Sequence, residues 1–177
     1  MVDQTSVPTV TPEQINRARP FVERAIRQKE CENLLKLFQG GFPANAACVL
    51  PATSPLMYAA SFGDVNVLQL ILQLPQEINA QDSAGRTALH YACRGGNTDN
   101  INFLLQQPGI ATEARSRGGK TPLMCACESM DLYAVAACLN FNLCPFAVDS
   151  LGQSPVDYAK RISEQMVTLI LQAREQW

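Results

Sequence analysis

A period of 33 to 34 residues constrains this chain more than any other feature. Four segments fall into register: TSPLMYAASFGD from Thr53, RTALHYACRGGN from Arg86, KTPLMCACESMD from Lys120 and QSPVDYAKRISE from Gln153. Their hydroxyl residues, Ser54, Thr87, Thr121 and Ser154, lie 33, 34 and 33 positions apart. Each is followed by Pro or Ala, then an aliphatic residue, and then an Ala at the fifth position. A supersecondary unit of this size cannot bury its apolar face alone, so the period predicts a stacked solenoid.

The local chemistry of each unit predicts a helix–turn–helix followed by a hairpin. The four hydroxyl residues can each cap a helix by accepting from an otherwise unpaired backbone N–H. Pro55, Pro122 and Pro155 then stand at the first helical position, where proline loses nothing. Ser154 with Asp157 resembles a capping box. The small pairs Ala59–Ala60, Ala92–Cys93 and Ala126–Cys127 let neighbouring helices approach closely. Second helices are expected in VNVLQLILQ, NINFLLQQ, YAVAACLN and MVTLILQ, where Val67, Leu68, Ile71 and Leu72, and again Ile101, Leu104 and Leu105, fall at helical spacing. Glycine-containing connectors at 79–86, 112–120 and 146–153 are each long enough for a tight hairpin.

These units resemble the ankyrin repeat, whose signature is T-P-L-H-x-A-A followed by glycine and a paired-leucine helix. GRTALHYACRGG at 85–96 and GKTPLMCACESM at 119–130 carry the likeness best. The unit from Ser54 has Ser for Thr and Met for His, and SPVDYAKR looks like a C-terminal capping repeat. Residues 21–53 look like a degenerate first repeat, recognisable from LLKLFQGGFPAN. The resemblance implies an all-α ankyrin solenoid with short β-hairpin fingers over residues 21–177. Ahead of it, T-x-x-Q at Thr11 with Pro12 starts a helix that Pro20 ends or kinks, giving an N-terminal cap at 11–20. Residues 1–10 are read as a tail or docking arm.

Composition narrows the function classes. Fourteen Lys and Arg against sixteen Asp and Glu give a net charge of −2, which argues against a general nucleic-acid binder. A single histidine removes most triad and metal-site chemistry. Seven cysteines, an odd count at low density, suggest reduced thiols in an intracellular protein, cytoplasmic in the first instance, with nucleus and cytoskeleton as alternatives. The first residues carry no secretory pattern, and no apolar run is long enough to insert into a membrane.

The motifs that suggest chemistry do not hold together. Residues 118–121, GGKT, mimic the end of a phosphate-binding loop, but the required earlier glycine is Ala114 and the preceding TEARSR is polar. His90 and Cys93 share a helix face without a third orienting group. Cys125 and Cys127, two apart on a helix, point away from each other and cannot share a zinc ion with Cys138 and Cys144. No catalytic, cofactor or metal residue is therefore assigned, and no small-molecule substrate is expected.

The surface is what remains. The ankyrin resemblance implies that finger tips and the ends of first helices line one groove. That assigns Asp82, Arg86, Arg115, Arg117, Lys120, Asp149 and Gln153 from the fingers, with Phe62, Arg94 and Glu128 from the helix ends. Arg86, Arg94, Arg115, Arg117 and Lys120 would make the middle of the groove basic, and Phe62 is an aromatic where the scaffold needs none. Exposed arginines and aromatics are common interface anchors. The expected function is protein–protein interaction, as an adaptor or scaffold holding a partner with an acidic surface. A permanent subunit of a cytoskeletal or organellar assembly is the alternative reading, and an enzyme with an unrecognised site a distant third. Arg86 and Lys120 are expected side by side, giving the fold nothing, so that reversing both to Glu would leave the melting temperature nearly unchanged.

Overall fold

The computed structural model describes residues 11–44 and 53–177. The tail at 1–10 lies outside them. Among the described residues ten helices follow one another in pairs. An inner row is formed by α1 (Pro12–Arg27), α3 (Pro55–Phe62), α5 (Ala88–Gly95), α7 (Pro122–Glu128) and α9 (Pro155–Ala159). An outer row is formed by α2 (Cys31–Gln39), α4 (Val65–Leu72), α6 (Thr98–Leu105), α8 (Leu132–Asn140) and α10 (Glu164–Gln176). Each inner helix packs on the next inner one and on its own outer partner, which is the layering of a solenoid.

The expected caps start these helices. Ser54, Thr121 and Ser154 accept from the backbone N–H groups of Met57, Met124 and Asp157 at 3.3, 3.4 and 3.4 Å. Asp157 returns the bond, accepting from the backbone N–H of Ser154 at 2.9 Å. That N–H and the Ser154 hydroxyl hold the Asp157 carboxyl down at about 2. The outer helices have caps of their own: Asp64, Asn97, Asp131 and Ser163 each accept from the first turn. The inner helices then run along the middle of the molecule, so α3 is buried from Pro55 to Ala60 and shows no polar face. Ala59, Ala60, Ala92, Cys93, Ala126, Cys127 and Ala159 are all fully buried where inner helices meet.

The N-terminus departs from expectation. Helix α1 does not end at Pro20 but runs through it, so the boundary between cap and first repeat disappears. Pro20 removes one backbone hydrogen bond. Val22, Ala25 and Ile26, beyond the proline, are buried in the core and offset that loss. The Thr11 capping box is present, with its backbone N–H donating to Gln14 Oε1 at 2.8 Å and its hydroxyl accepting from Gln14 N–H at 3.3 Å. Helices α1 and α2 together form the degenerate first unit.

The fingers are tight turns rather than extended hairpins; among the described residues only Thr53 forms a β-bridge. Asp82, Ser116 and Asp149 each donate a backbone N–H to the carbonyl four residues on, at 3.0 Å in every case. Gly85, Gly119 and Gly152 close the turns at φ +74. Successive fingers are stitched together, with Arg117 N–H donating to the Ala84 carbonyl at 2.8 Å and Ser150 N–H to the Gly118 carbonyl at 3.0 Å. Glycine is required here twice over. A Cβ on Gly119 would stand 2.8 Å from the Ser150 nitrogen, whereas one on Gly152 would meet nothing within 4 Å. Gly152→Ala should therefore cost about 1 kcal/mol for left-handed backbone alone. Gly119→Ala adds the loss of a stitch and should cost about 2 kcal/mol. Equal urea midpoints for the two variants would refute the stitching.

Between α7 and α8 the same left-handed conformation falls on Met130, at φ 63, where the preceding unit has Gly96 at φ 66. Met130 is 72% exposed and so gains little from packing. Met130→Gly should raise stability by about 1 kcal/mol, read as a higher urea midpoint.

Candidate functional site

The predicted groove residues divide into three groups once their surroundings are known. Asp82 and Asp149 do not present carboxylates at the finger tips, as expected from the sequence, but turn them inward. Asp82 Oδ1 accepts from the backbone N–H groups of Ala84 and Arg86, both at 2.8 Å. Its Oδ2 accepts from Arg86 Nε at 2.9 Å and from the Tyr91 hydroxyl at 2.8 Å. Burial alone would raise this carboxyl, but those four donors hold it below its ordinary value. Asp149 repeats the arrangement with the N–H groups of Leu151 and Gln153, both at 2.9 Å, and the Tyr158 hydroxyl at 2.7 Å. Both aspartates build the turn. Gln153 is the residue that closes the last one.

The second group is the cations. Arg86 is not an unpaired charge: it bridges to Asp82 at 2.8 Å, donates to the Tyr91 hydroxyl at 2.7 Å and lies 4.8 Å above that ring. Lys120 pairs with Glu128 and stands 4.9 Å from the Tyr158 ring of the next unit. Burial would lower the Lys120 ammonium, yet Glu128 holds it above its usual value. These two residues therefore contribute to the fold, and charge reversal at Arg86 should lower the melting temperature instead of leaving it nearly unchanged. Arg115 crosses between fingers, donating to the carbonyls of Gly119 and Val148 at 3.3 and 2.7 Å. Arg94 and Arg117 are exposed, and neither forms an ion pair with a described residue.

Phe62 stands apart. Its ring is 50% exposed, lies 4.8 Å from Tyr58 and is covered by the Arg27 guanidinium at 5.0 Å. Arg27 also donates to the Tyr58 hydroxyl. Nothing in the repeat pattern points to Arg27, because it comes from the one helix without a signature.

Arg86, Arg94, Lys120 and Glu128 do converge. With His90, Tyr91, Ser116 and Cys125 they line a cavity of about 200 Å³ where the fingers meet the inner helices. His90 anchors its wall. Its Nδ1 accepts from the Thr87 backbone N–H at 3.2 Å, which leaves Nε2 to donate to the Lys120 carbonyl at 3.0 Å. Burial disfavours the imidazolium and lowers its pKa, consistent with that neutral tautomer. Cys125 opens into this cavity, and burial pushes its thiol up to about 12, so it is neither thiolate nor nucleophile. Cys127, on the opposite side of α7, is buried in the core, where Cys93 and Cys138 pack Sγ to Sγ at 3.5 Å. Residues 118–121 form a finger turn and a helix cap. Among the described residues no three His, Cys, Asp or Glu side chains are grouped to hold a metal ion, and no helix is long and apolar enough to cross a membrane.

A family model of ankyrin repeats in three copies matches residues 23–116, more than half of the chain. The chain belongs to the ankyrin repeat family. Similar proteins include Rabankyrin-5 of Mus musculus, 38% identical over 73 residues, which are 41% of this chain and 6% of that protein. An ankyrin repeat protein of Rickettsia bellii is 33% identical over 92 residues, 52% of this chain and 92% of its own length. The tyrosine-protein kinase Shark of Drosophila melanogaster is 26% identical over 147 residues, 83% of this chain and 16% of the kinase. Apart from the short bacterial protein, this chain thus spans a small part of these relatives. Ankyrin repeats mediate protein–protein interaction, and the units after residue 116 continue the same stack.

Proposed function

We propose that this chain is an adaptor or scaffold module, not an enzyme, that holds a partner protein with an acidic surface against its fingers and inner helix ends. The observation that carries the reading is the convergence of Arg86, Arg94 and Lys120 on one cavity, with Arg115 and Arg117 on the adjoining finger, in a chain of net charge −2. Five cations against the Asp82 and Glu128 carboxylates leave a local excess of positive charge, which steers association. The balanced overall charge favours a protein over a nucleic acid as partner. Free thiols at Cys31, Cys93, Cys125, Cys127, Cys138 and Cys144 support an intracellular setting.

The decisive variant is Arg94→Glu with Arg117→Glu, because neither side chain has an internal ion-pair partner among the described residues. The melting temperature should stay within about 2 °C of wild type, since exposed substitutions change stability little. Association with the partner, isolated by affinity purification and mapped by carboxyl-to-lysine crosslinking, should slow by about tenfold at low salt and less at high salt. Unchanged association kinetics, or crosslinks confined to the outer helices, would overturn the reading.

A further inference from the structure

The cavity lies at the one signature unit that lacks a tyrosine the other three signature units carry. The fourth residue after the caps Ser54, Thr87, Thr121 and Ser154 is Tyr58, Tyr91, Cys125 and Tyr158 in turn. Every tyrosine in that series lies beneath a cation: Tyr58 under Arg27 at 5.5 Å, Tyr91 under Arg86 at 4.8 Å and Tyr158 under Lys120 at 4.9 Å. Nine residues before Tyr91 and Tyr158 stand Asp82 and Asp149, which accept hydrogen bonds from the phenol hydroxyls. In the unit of α7 and α8 both members of the pair are changed together. Ser116 replaces the aspartate, keeping only its bond from the Lys120 backbone N–H at 3.1 Å, and Cys125 replaces the tyrosine. The space that a phenol and a carboxylate fill elsewhere is open between Arg86, Arg94 and Lys120.

The charges around this space do not cancel. Asp82 answers Arg86 and Glu128 answers Lys120, whereas Arg94 forms no ion pair with a described residue. The cavity therefore offers one unanswered positive charge, with the Ser116 hydroxyl as a neutral donor beside it. One carboxylate balances that charge; a phosphate monoester, at about −1.5 to −2, exceeds it. A cavity of about 200 Å³ also holds a carboxylate side chain with a few waters, each of about 30 Å³.

We propose that the cavity between Arg86, Arg94, Ser116, Lys120 and Cys125 is a socket for a single aspartate or glutamate side chain of the partner protein, with Arg94 as its counter-ion. This rests on the groove reading above and adds to it the place and chemistry of one anchor. Salt-bridged anchors of this kind, enclosed at the centre of an interface, act on dissociation as well as on encounter.

The test uses N-acetylglutamate α-amide, which carries a side-chain carboxylate and no other charge, titrated into the isotope-labelled full chain by NMR at low salt. N-acetylglutamine α-amide and N-acetylphosphoserine α-amide serve as comparisons. Saturable shifts are expected at the amides of Ser116 and Cys125 and at the Arg94 guanidinium, and none with the glutamine compound. Cys125→Tyr restores the residue found in the other three signature units and fills the socket while leaving every rim charge in place. It should weaken binding by about tenfold or more. Ser116→Asp, the residue that Asp82 and Asp149 supply in the turns before α5 and α9, places an internal carboxylate in the cavity wall and should weaken it equally; this variant decides between the outcomes if the tyrosine variant does not fold. Shifts that spread over Arg115 and Arg117 and survive both substitutions would sink the socket but keep the basic groove. Tighter binding of the phosphoserine compound by about tenfold would also overturn the carboxylate assignment. No shift at any groove residue would remove socket and groove together.

Discussion

Leu104→Ala should destabilise the protein by about 2–5 kcal/mol and split its unfolding into two transitions. Leu104 is fully buried in α6, the outer helix of the second signature unit, and α6 packs on α4, α5 and α8. Truncation removes the transfer free energy of three carbons and leaves a cavity that the stacked helices on either side cannot collapse into without shifting the whole row. A solenoid has few contacts between distant units, so the damage stays local and weakens the coupling between the parts of the stack on either side of it. The urea curve of the variant should show a lower midpoint and a shallower or biphasic slope. Leu151→Ala is the control: Leu151 is 79% exposed on the last finger and its loss should change stability by less than about 0.5 kcal/mol. A Leu104 variant that unfolds in one step at the wild-type midpoint would show that α6 is not part of the core.

What can be read from the sequence follows from repetition. Caps such as Ser54 and Ser154, the turn glycines Gly85, Gly119 and Gly152, and the apolar positions Ile71 and Leu104, or Leu68 and Ile101, recur at the repeat spacing. Each is dictated by local backbone chemistry or by burial within its own unit. The end of α1 is not legible because a proline rule is local, whereas the burial of Val22 and Ile26 that carries the helix past Pro20 depends on the rest of the core. Asn100 escapes sequence reasoning on related grounds. It reads as a polar surface residue in the first turn of α6, yet it is fully buried and its amide donates to the carbonyls of Ala59, Ala60 and Gly63 at 3.2–3.3 Å. Those carbonyls belong to the preceding unit, some forty positions away. The candidate site has the same blind spot. The ankyrin resemblance brings Arg86, Arg94, Lys120 and Glu128 to one groove, but not the partners that tie up two of the cations. The signal is nonetheless present: Asp82 with Tyr91 and Asp149 with Tyr158 share a nine-residue spacing, and Ser116 with Cys125 breaks it.

That spacing leads to the second large effect, at Asp82. Asp82→Ala should cost about 3 kcal/mol, far more than a surface carboxylate. The substitution leaves the N–H groups of Ala84 and Arg86 without their side-chain acceptor at the turn, and frees the Arg86 guanidinium and the Tyr91 hydroxyl from the group that orients both. Asp82→Asn keeps the shape and one acceptor but removes the charge, so it should cost less, and the difference between the two variants measures the ionic share. The pH dependence has a fixed sign. The Asp82 carboxyl is lower in the folded chain than its ordinary value, so the unfolded state takes up its proton first. The stabilisation is complete above the unfolded pKa of about 3.9 and is lost as the pH falls through the lower folded value. Between about pH 5 and pH 3 the wild type should therefore lose more stability than Asp82→Asn does, and the two urea midpoints should draw together. Arg86→Glu adds repulsion to the same loss, placing a second carboxylate against Asp82, and should gain stability as the pH falls over that range while the wild type declines. Parallel pH profiles for wild type and Asp82→Asn would mean that the turn is held by its backbone alone, and that Arg86 is as free to meet a partner as Arg94 is.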